Sequence, residues 1–537
     1  MSSTITLAEY LGRRLTQAGV AHLFGVPGDF NLTLLDHLAT VPGLRWVGSP
    51  NELGAGYAAD AYARARGLSA IVTTYGVGEL SCINAIAGSA AEDVPVVHVV
   101  GGPATVAVVG RRRLHHTLAD GVFDRFEMAY AQVTVHQETV VAERATEQVD
   151  AVLLAAMTYR KPAYLSIPQD LATLPVDPAP LARPLTVAAP TAAELQARLS
   201  GLFAVAERPV LVVGHLVARH GLAEPVRRAA RQANIPLVTS LAAKGCIDES
   251  EPLFRGTYAG TMVDRGASDL VADADLVVEL GTVATDVLSG FFTHRTPDEQ
   301  VVHVGAAELA GAVRVLERLC AGRRFADRPA APRPAYYAPA DPDAPLTQDG
   351  LWATVQEWLP PGMAVLADTG TSFWGAAALR LPDDTVLLGQ PIWNSIGYAL
   401  PAVLGQGLAD PGRRPILFIG DGAAQMTVQE LSTITAHGLT PIIVLLNNRG
   451  YTIERALQSP DAGYNDVAAW DWSYLAAALT GDKVEYRLAR TAAELRHALD
   501  VAGSTTDSPV LIEAELGARD TPPLLRALAE RNDSLQR

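Results

Sequence analysis

Two apolar runs in the last third of the chain end in residues whose oxygen atoms could bind a metal ion. The run PILFI leads into Asp421 and Gly422, and the run PIIVLL leads into Asn448 and Gly450. Because a single helical stretch separates the runs, we expect a βαβ crossover whose strand ends meet at one edge of a parallel sheet. A carboxylate, an amide oxygen and a backbone carbonyl suit Mg²⁺, which takes few protein oxygens together with phosphate. Asp421, Asn448 and the Gly450 carbonyl are therefore candidate magnesium ligands.

Small residues follow the aspartate at the first of these strand ends. Gly422, Ala423 and Ala424 leave their backbone N–H groups open at the start of the next helix, where a phosphate group can bind. A plain turn with a capping aspartate would explain GDG by itself. The combination of GDG and NNRG on successive strand ends favours a site for a metal ion and a diphosphate.

The rest of the chain has the sequence pattern of parallel sheets that could position these strand ends. Short β-branched runs alternate with alanine-rich helical patterns, which predicts an α/β fold with doubly wound parallel sheets. Proline-rich stretches at 173–190 and 328–345 are interpreted as linkers. We therefore predict three domains, at 1–180, 190–330 and 346–537.

The charge balance excludes several classes of partner. The 537 residues include 58 acidic and 42 basic ones, for a formal net charge of -16, which disfavours binding to nucleic acid or anionic lipid. Charged residues interrupt the N-terminus, so no secretory signal is expected, and no stretch reaches the roughly 18 apolar residues of a membrane helix. Cys82, Cys246 and Cys320 match neither a disulfide framework nor a zinc spacing. We predict a cytoplasmic protein with reduced thiols.

Longer motifs extend the pattern over nearly the whole chain. The stretch GDGAAQMTVQELSTITAHGLTPIIVLLNNRGYTIE resembles the thiamine diphosphate motif of 2-oxo acid decarboxylases. NELGAGYAADAYARARG, LHHTLADG, ADTGTSFWGA and WNSIGYALPA also fall in the order of the pyruvate/indolepyruvate decarboxylase family. The resemblance implies thiamine diphosphate and Mg²⁺ as cofactors. It also implies that a 2-oxo acid (pyruvate, branched-chain or aryl pyruvate) loses CO₂ through a C2 ylide and an enamine and leaves as an aldehyde.

The resemblance also assigns catalytic residues. Glu52, expected in the first turn of a helix capped by Asn51, matches the carboxyl group that activates the aminopyrimidine ring, and burial should raise its pKa. By itself, a first-turn glutamate more often serves only the helix dipole. The other members of the expected cluster move protons around the reacting carbon, a task that suits histidine near neutral pH. They are Asp29, His115, His116 and Glu454.

Further positions match contacts with the cofactor and the substrate. Ile396 matches the bulky residue that bends thiamine and brings its amino group toward C2. Asn394 stands where relatives carry glycine, and asparagine tolerates unusual backbone angles better than other side chains. Besides Glu52 and the metal ligands, the cofactor positions are Thr73, Gly370, Thr371, Asn394, Ile396, Gly422, Ala423, Ala424, Tyr451, Thr452 and Ile453. The substrate-pocket positions are Val287, Phe373, Trp374, Ile453 and Leu457.

The family's architecture implies how chains associate and leaves two alternatives open. Glu52 of one chain and Asp421 of another should serve one site, so a dimer is the minimum active unit and a homotetramer is expected. A carboligase similar to acetolactate synthase is the first alternative, and a non-catalytic relative that binds the cofactor is the second. The middle domain lacks a glycine-rich fingerprint and is expected to bind no nucleotide. Cys246 lies away from the regulatory thiol of some relatives, so little or no thiol-linked activation is expected.

Overall fold

The protein is an α/β chain with three parallel sheets and one short antiparallel strand pair. The computed structural model describes residues 4–187, 193–329, 336–339 and 341–536. Within these ranges, no helix has both the length and the apolar character that crossing a membrane requires. The predicted fold class is confirmed, because every pairing within the three large sheets is parallel.

The first sheet has six strands in the order β3-β2-β4-β5-β7-β6. The strands of this part of the chain are β1 (Ile5–Thr6), β2 (His22–Gly25), β3 (Arg45–Gly48), β4 (Ser69–Thr74), β5 (Val96–Gly102), β6 (Gln137–Thr139), β7 (Ala163–Pro168) and β8 (Pro175–Val176). Its helices are α1 (Leu7–Gln17), α2 (Leu32–Leu38), α3 (Glu52–Arg66), α4 (Val77–Ala91), α5 (Thr105–Val109), α6 (Arg125–Tyr130) and α7 (Ala145–Tyr159). The central strands β4, β5 and β7 are buried along their whole length, which is why they are apolar runs without alternation.

The first half of the predicted linker at 173–190 is hydrogen-bonded to β1 and α1. Strand β8 pairs with β1, and the Arg14 guanidinium donates hydrogen bonds to the carbonyls of Pro180 and Arg183. Proline removes backbone donors but leaves carbonyl acceptors, so a proline-rich segment can still be fixed by a buried arginine. Residues 175–183 therefore lie along α1 instead of forming a free linker, while 188–190 lie outside the described residues.

The second sheet has five strands in the order β11-β10-β9-β12-β13. Its strands are β9 (Pro209–Val213), β10 (Leu237–Ser240), β11 (Phe254–Tyr258), β12 (Leu276–Leu280) and β13 (Val301–Val304). The helices are α8 (Ala193–Val205), α9 (His215–Arg219), α10 (Ala223–Ala233), α11 (Arg265–Ala272) and α12 (Ala306–Cys320). Of the second predicted linker, residues 330–335 and 340 lie outside the described residues.

The third sheet has six strands in the order β15-β14-β16-β17-β19-β18. Its strands are β14 (Ala364–Ala367), β15 (Val386–Leu388), β16 (Pro415–Gly420), β17 (Ile442–Asn447), β18 (Glu485–Ala489) and β19 (Val510–Glu515). The helices are α13 (Gln348–Trp358), α14 (Thr371–Ala377), α15 (Ala399–Ala409), α16 (Asp421–Thr427), α17 (Glu430–Ala436), α18 (Thr452–Leu457), α19 (Trp472–Thr480), α20 (Ala492–Ser504) and α21 (Pro523–Gln536). The crossover between β16 and β17, expected as one helix, is thus two short ones.

The described residues form two compact units. Residues 1–188 and 401–411 belong to the first, and residues 189–400 and 412–537 to the second, which holds both the second and the third sheet. Most of α15 thus belongs to the first unit, where the Gly405 backbone lies against the Ala58 carbonyl so closely that any side chain at 405 would overlap it. The predicted boundaries of three domains stay a prediction.

Candidate active site

Three neighbouring strands of the third sheet end in polar residues. Strands β14, β16 and β17 are adjacent and in parallel register, and Asp368, Asp421 and Asn448 follow directly at their carboxyl ends. The expectation that Asp421 and Asn448 share one sheet edge is therefore met by the topology. Asn447, the preceding amide, instead donates to the Glu513 carboxylate at 2.6 Å and serves the pairing of β17 with β19.

The Asp421 and Asn448 side chains lie together with the Gly450 carbonyl. One terminal atom of the Asn448 amide lies 3.2 Å from Asp421 Oδ1 and 2.6 Å from the Gly450 carbonyl oxygen, and the other lies 3.1 Å from the Thr452 hydroxyl. Without a cation, the amide nitrogen is expected to donate to both of these oxygens. With a cation bound, the amide can turn its oxygen toward them, and the resulting carboxylate, amide and carbonyl oxygens form a hard set that fits Mg²⁺.

The Asp421 carboxyl is buried, and burial raises its pKa to about 6 although the Gly422 N–H donates to it at 2.9 Å. A buried carboxylate is stabilised by a metal ion or by a hydrogen-bonded partner of opposite charge. The backbone amides around Asp421 supply only part of that stabilisation, so the chemistry of this donor set is compatible with a divalent cation.

A buried arginine fixes the loop that carries the second and third of these oxygens. Arg455 donates to the carbonyl oxygens of Asn448, Arg449 and Ala518 at 3.3, 2.9 and 2.9 Å, and to Asp466 Oδ1 at 2.7 Å. Charged hydrogen bonds of this kind contribute about 1.5–3 kcal/mol each. The sequence analysis did not single out Arg455, since the motif gives no sign that a side chain six residues after Arg449 turns back onto it.

Asp368 fixes the turn that carries two predicted cofactor residues. Its carboxylate accepts from the Gly397 and Ala399 N–H groups at 3.0 and 2.8 Å, and complete burial raises its pKa to about 7. Ile396 lies directly before the first of these anchors, and Asn394, two residues earlier, has a φ of 57°. That left-handed conformation is the one glycine adopts readily and asparagine tolerates. Asparagine at position 394 therefore keeps the backbone angle that glycine would adopt there.

A cavity of about 280 Å³ lies above this edge of the sheet. All the predicted pocket residues line it, and they are Val287, Phe373, Trp374, Ile453 and Leu457. The cofactor positions that line it are Gly370, Thr371, Asn394, Ile396, Gly422, Ala423, Asn448, Gly450, Tyr451, Thr452 and Ile453. Glu454 also faces the cavity, and Leu528 of α21 is a wall residue that the sequence analysis missed. The second unit thus brings nearly all its predicted residues to one place.

In the first unit, Glu52 begins α3. The Asn51 side chain caps the helix by accepting from the Gly54 N–H at 2.7 Å, as the sequence predicts. The Glu52 carboxyl is half-buried, and burial raises its pKa. A Cβ at Gly78 would lie 3.1 Å from Glu52 Oε1 and 3.3 Å from Thr73 Cβ, so Glu52 and Thr73 meet at the first turn of α4. Thr73 is fully buried and its hydroxyl lies 2.9 Å from His98 Nε2.

Glu79 holds the turn against which Glu52 packs. Its carboxylate accepts from the Gly76 N–H at 2.7 Å and from the Tyr164 hydroxyl at 2.8 Å. Burial raises the pKa of Glu79 to about 7. The Gly76 backbone also lies against the His116 carbonyl, so this one turn touches both Glu52 and the loop of the histidine pair. Glu79 is a positioning residue that the sequence analysis missed.

The predicted aspartate and histidine pair form a cluster in the same unit. His115 Nε2 lies 2.6 Å from Asp29 Oδ2, and His116 Nε2 lies 3.6 Å from Asp29 Oδ1. The Phe30 ring stacks on His115 with centroids 4.9 Å apart. The loop of Asp29 is fixed by Asn31, whose buried side chain accepts from the Gly28 N–H and donates to the Val26 carbonyl. Glu454, the fifth predicted catalytic residue, lies in the second unit.

Comparison with known proteins gives consistent results for the three segments. Residues 5–128, 196–315 and 368–514 match the N-terminal, central and C-terminal domain models of thiamine pyrophosphate enzymes. The chain is 42% identical to an alpha-keto-acid decarboxylase of Mycobacterium tuberculosis, covering 97% of this chain and 96% of the relative. It is 41% identical to an alpha-keto-acid decarboxylase of Mycobacterium ulcerans, covering 97% and 95%.

A solved structure shares the fold. The thiamine diphosphate-dependent 4-hydroxybenzoylformate decarboxylase of Rhodococcus jostii RHA1 superposes with a TM-score of 0.78 at 22% identity, covering 95% of this chain and 99% of that one.

Proposed function

Because the chain belongs to the thiamine pyrophosphate enzyme family, we propose that it converts a 2-oxo acid to an aldehyde and CO₂, with thiamine diphosphate and Mg²⁺ as cofactors. Relatives named alpha-keto-acid decarboxylase match it over nearly their whole length. The observation that carries the proposal is the convergence of the Asp421 and Asn448 side chains and the Gly450 carbonyl, beside a cavity lined by the expected pocket residues.

The edge of the third sheet where its strands end would bind the metal and the diphosphate. Asp421, Asn448 and the Gly450 carbonyl would hold Mg²⁺, and the N–H groups of Gly422, Ala423 and Ala424 would bind the phosphate oxygens. Arg455 keeps the Asn448–Gly450 loop in the geometry that the metal needs. The remaining contacts to the cofactor come from Gly370, Thr371, Tyr451, Thr452 and Ile453.

When bound, thiamine diphosphate supplies the C2 nucleophile that adds to the ketone carbon and accepts the electron pair left by CO₂. Ile396 would pack against the cofactor, and the Asn394 carbonyl would accept a hydrogen bond from it. The turn that carries both residues is anchored to Asp368 and to Thr427, whose hydroxyl donates to the Gly397 carbonyl at 2.8 Å. A fixed turn keeps these groups in a reactive geometry.

The Glu52 carboxyl group would exchange a proton with the aminopyrimidine ring of the bound cofactor. Burial raises its pKa, which favours the protonated form that can donate to a ring nitrogen. Thr73 lies on the same side of Gly78 as this carboxyl group. Asp29, His115, His116 and Glu454 would serve in protonating the product carbon and in releasing the aldehyde.

A second copy of the chain completes the site. Exposed apolar side chains flank the candidate residues in both units: Val77 and Leu80 in the first turn of α4, and Trp393 and Met426 beside the turn of Ile396. Such surfaces are typical of interfaces. We therefore expect Glu52 and Asp29 of one copy to serve the metal site of its partner, in a cytoplasmic homotetramer built from dimers.

The test is a panel of pyruvate, 2-oxoisovalerate, phenylpyruvate and indolepyruvate, each assayed for aldehyde and CO₂ with thiamine diphosphate and Mg²⁺. Glu52→Gln should lose most of the activity while it keeps its fold. Glu147→Gln is the matched control, because Glu147 also lies in the first turn of a helix but is exposed.

Each outcome of this test is informative. Aldehyde formation that depends on Glu52 and on Mg²⁺ supports the proposal. Formation of acetohydroxy acids by a protein with bound flavin would instead identify a carboligase, and cofactor binding without CO₂ release from any acid would identify a non-catalytic relative.

A further inference from the structure

The donor atoms of Asp29, His115 and His116 have the composition of a transition-metal site. One carboxylate and two imidazole Nε2 atoms converge, and all three ligand atoms lie within 4.8 Å of one another. Two histidines and a carboxylate are a set that Zn²⁺ and similar divalent ions accept, whereas Mg²⁺ prefers oxygen. The magnesium site at Asp421 and this cluster therefore differ in the metal they select.

The distances within the cluster are also those of a metal site. Zinc binds nitrogen and oxygen at about 2.0–2.2 Å, so that tetrahedral ligands lie about 3.3 Å apart. The separations of 2.6 Å from His115 to Asp29 and 3.6 Å from His116 to Asp29 lie on either side of that value. Small side-chain rotations would bring the three donors to a common ion, which would replace the hydrogen bond between His115 and Asp29.

The cluster is preorganised and open to solvent. Phe30 stacks on the His115 ring and lies edge-on to the His116 ring, and His116 itself has a left-handed φ of 57° that turns it beside His115. In the single chain all three side chains are at least 31% exposed, so an ion can reach the cluster before a second copy covers it. A preformed donor set with these features needs little reorganisation to bind metal.

From this geometry we infer that Asp29, His115 and His116 form an inhibitory site for a borderline divalent cation such as Zn²⁺, separate from the magnesium site. Bound metal displaces the proton between His115 and Asp29 into solvent and occupies the imidazole nitrogens, so the cluster can no longer transfer protons. The inhibitory part rests on the proposed function, whereas the binding part does not.

The binding test uses the full-length holoenzyme with saturating thiamine diphosphate and Mg²⁺. Zinc is titrated in competition with a chromophoric zinc indicator, and Co²⁺ is added separately to record its visible absorption. We expect one zinc site per chain and a tetrahedral cobalt spectrum. His116→Gln and Asp29→Asn should each weaken zinc binding by at least about tenfold, since even the loss of an outer partner has that effect on metal affinity.

The matched control is His303→Gln, which removes an exposed histidine whose Nδ1 lies 2.8 Å from the Glu279 carboxylate but which belongs to no cluster of three metal-binding side chains among the described residues. It should leave zinc binding unchanged. Unchanged zinc binding in both cluster variants would overturn the site, as would loss of zinc binding in Asp421→Asn alone.

The activity test follows aldehyde formation at rising zinc occupancy. Activity should fall in proportion to the occupied sites and return after zinc is removed by a chelator and Mg²⁺ is restored. Full activity with zinc bound at the cluster would overturn the inhibitory role. If no substrate supports activity, the proposed function fails while the indicator titration still decides the site.

Discussion

The buried carboxyl of Glu79 should make the stability of the first unit depend on pH, and Glu79→Gln tests this. The pKa of Glu79 rises from the ordinary value of 4.5 to about 7 because the side chain is buried, with a further contribution from the charge of Glu127. In the unfolded chain the proton leaves near 4.5, whereas in the folded chain it leaves near 7. Between these values the folded state binds the extra proton, so the free energy of unfolding falls as the pH rises through this window.

The size of the effect follows from the shift. Each pKa unit corresponds to about 1.4 kcal/mol, so the charged form of Glu79 destabilises the fold by about 3 kcal/mol above pH 7. Glutamine has the same shape, can accept from the Gly76 N–H and can face the Tyr164 hydroxyl, but has no proton to lose. The variant should therefore match the wild type near pH 5 and exceed it at pH 8, by roughly 5–10 °C in melting temperature for a unit of this size.

The assay is thermal unfolding followed by circular dichroism at several pH values between 5 and 8. Only the difference between variant and wild type is interpreted, because other titrating groups contribute equally to both. Glu147→Gln, at an exposed carboxyl group, serves as the control and should show a constant difference. A Glu79→Gln difference that does not grow with pH would refute the reasoning.

Four further predictions concern the candidate site. Asn394→Gly should keep kcat/KM within about threefold, whereas Asn394→Val should lower it at least tenfold, because a β-branched residue is strained at a left-handed φ; equal values for both variants would contradict this. Arg455→Met should raise the Mg²⁺ concentration for half-maximal activity at least tenfold, since the Asn448–Gly450 loop loses its charged hydrogen bonds; an unchanged magnesium titration would contradict it. Trp374→Ala should raise the ratio of kcat/KM for phenylpyruvate to kcat/KM for pyruvate, because it enlarges the cavity. An unchanged ratio would show that Trp374 does not limit the size of the substrate. Cys246→Ser should leave the shape of the substrate saturation curve unchanged, and sigmoidal kinetics that this substitution abolishes would contradict the absence of thiol-linked activation.

The sequence was sufficient for those parts of the site that depend on local order. The runs before Asp421 and Asn448 are buried strands, and a short crossover between them leaves few arrangements other than adjacent parallel strands. The Asn51 cap of α3 was predictable for the same reason, since donor and acceptor lie three residues apart. The α/β class followed from the alternation of strands and helices.

The residues that the sequence did not reveal act over long separations. Asp368 bonds a turn 29 and 31 residues later, and Tyr164 bonds Glu79 across 85 residues. A buried carboxylate with such partners cannot be told from a surface one by spacing, because its role depends on which backbone groups the fold brings to it. The hydrogen bonds from Arg14 to the carbonyls of Pro180 and Arg183 were not predictable for the same reason.

The assignment of α15 to the first unit has a consequence for anyone who recombines this chain with a relative. A chimera made at one junction near residue 188 would give the first unit a foreign α15, and the foreign residue at 405 would have to fit beneath the Ala58 carbonyl. Exchanging the unit intact takes three junctions, one near 188 and two that bracket 401–411. Chimeras that exchange 1–188 and 401–411 together should be recovered as folded protein more often than chimeras that exchange 1–188 alone.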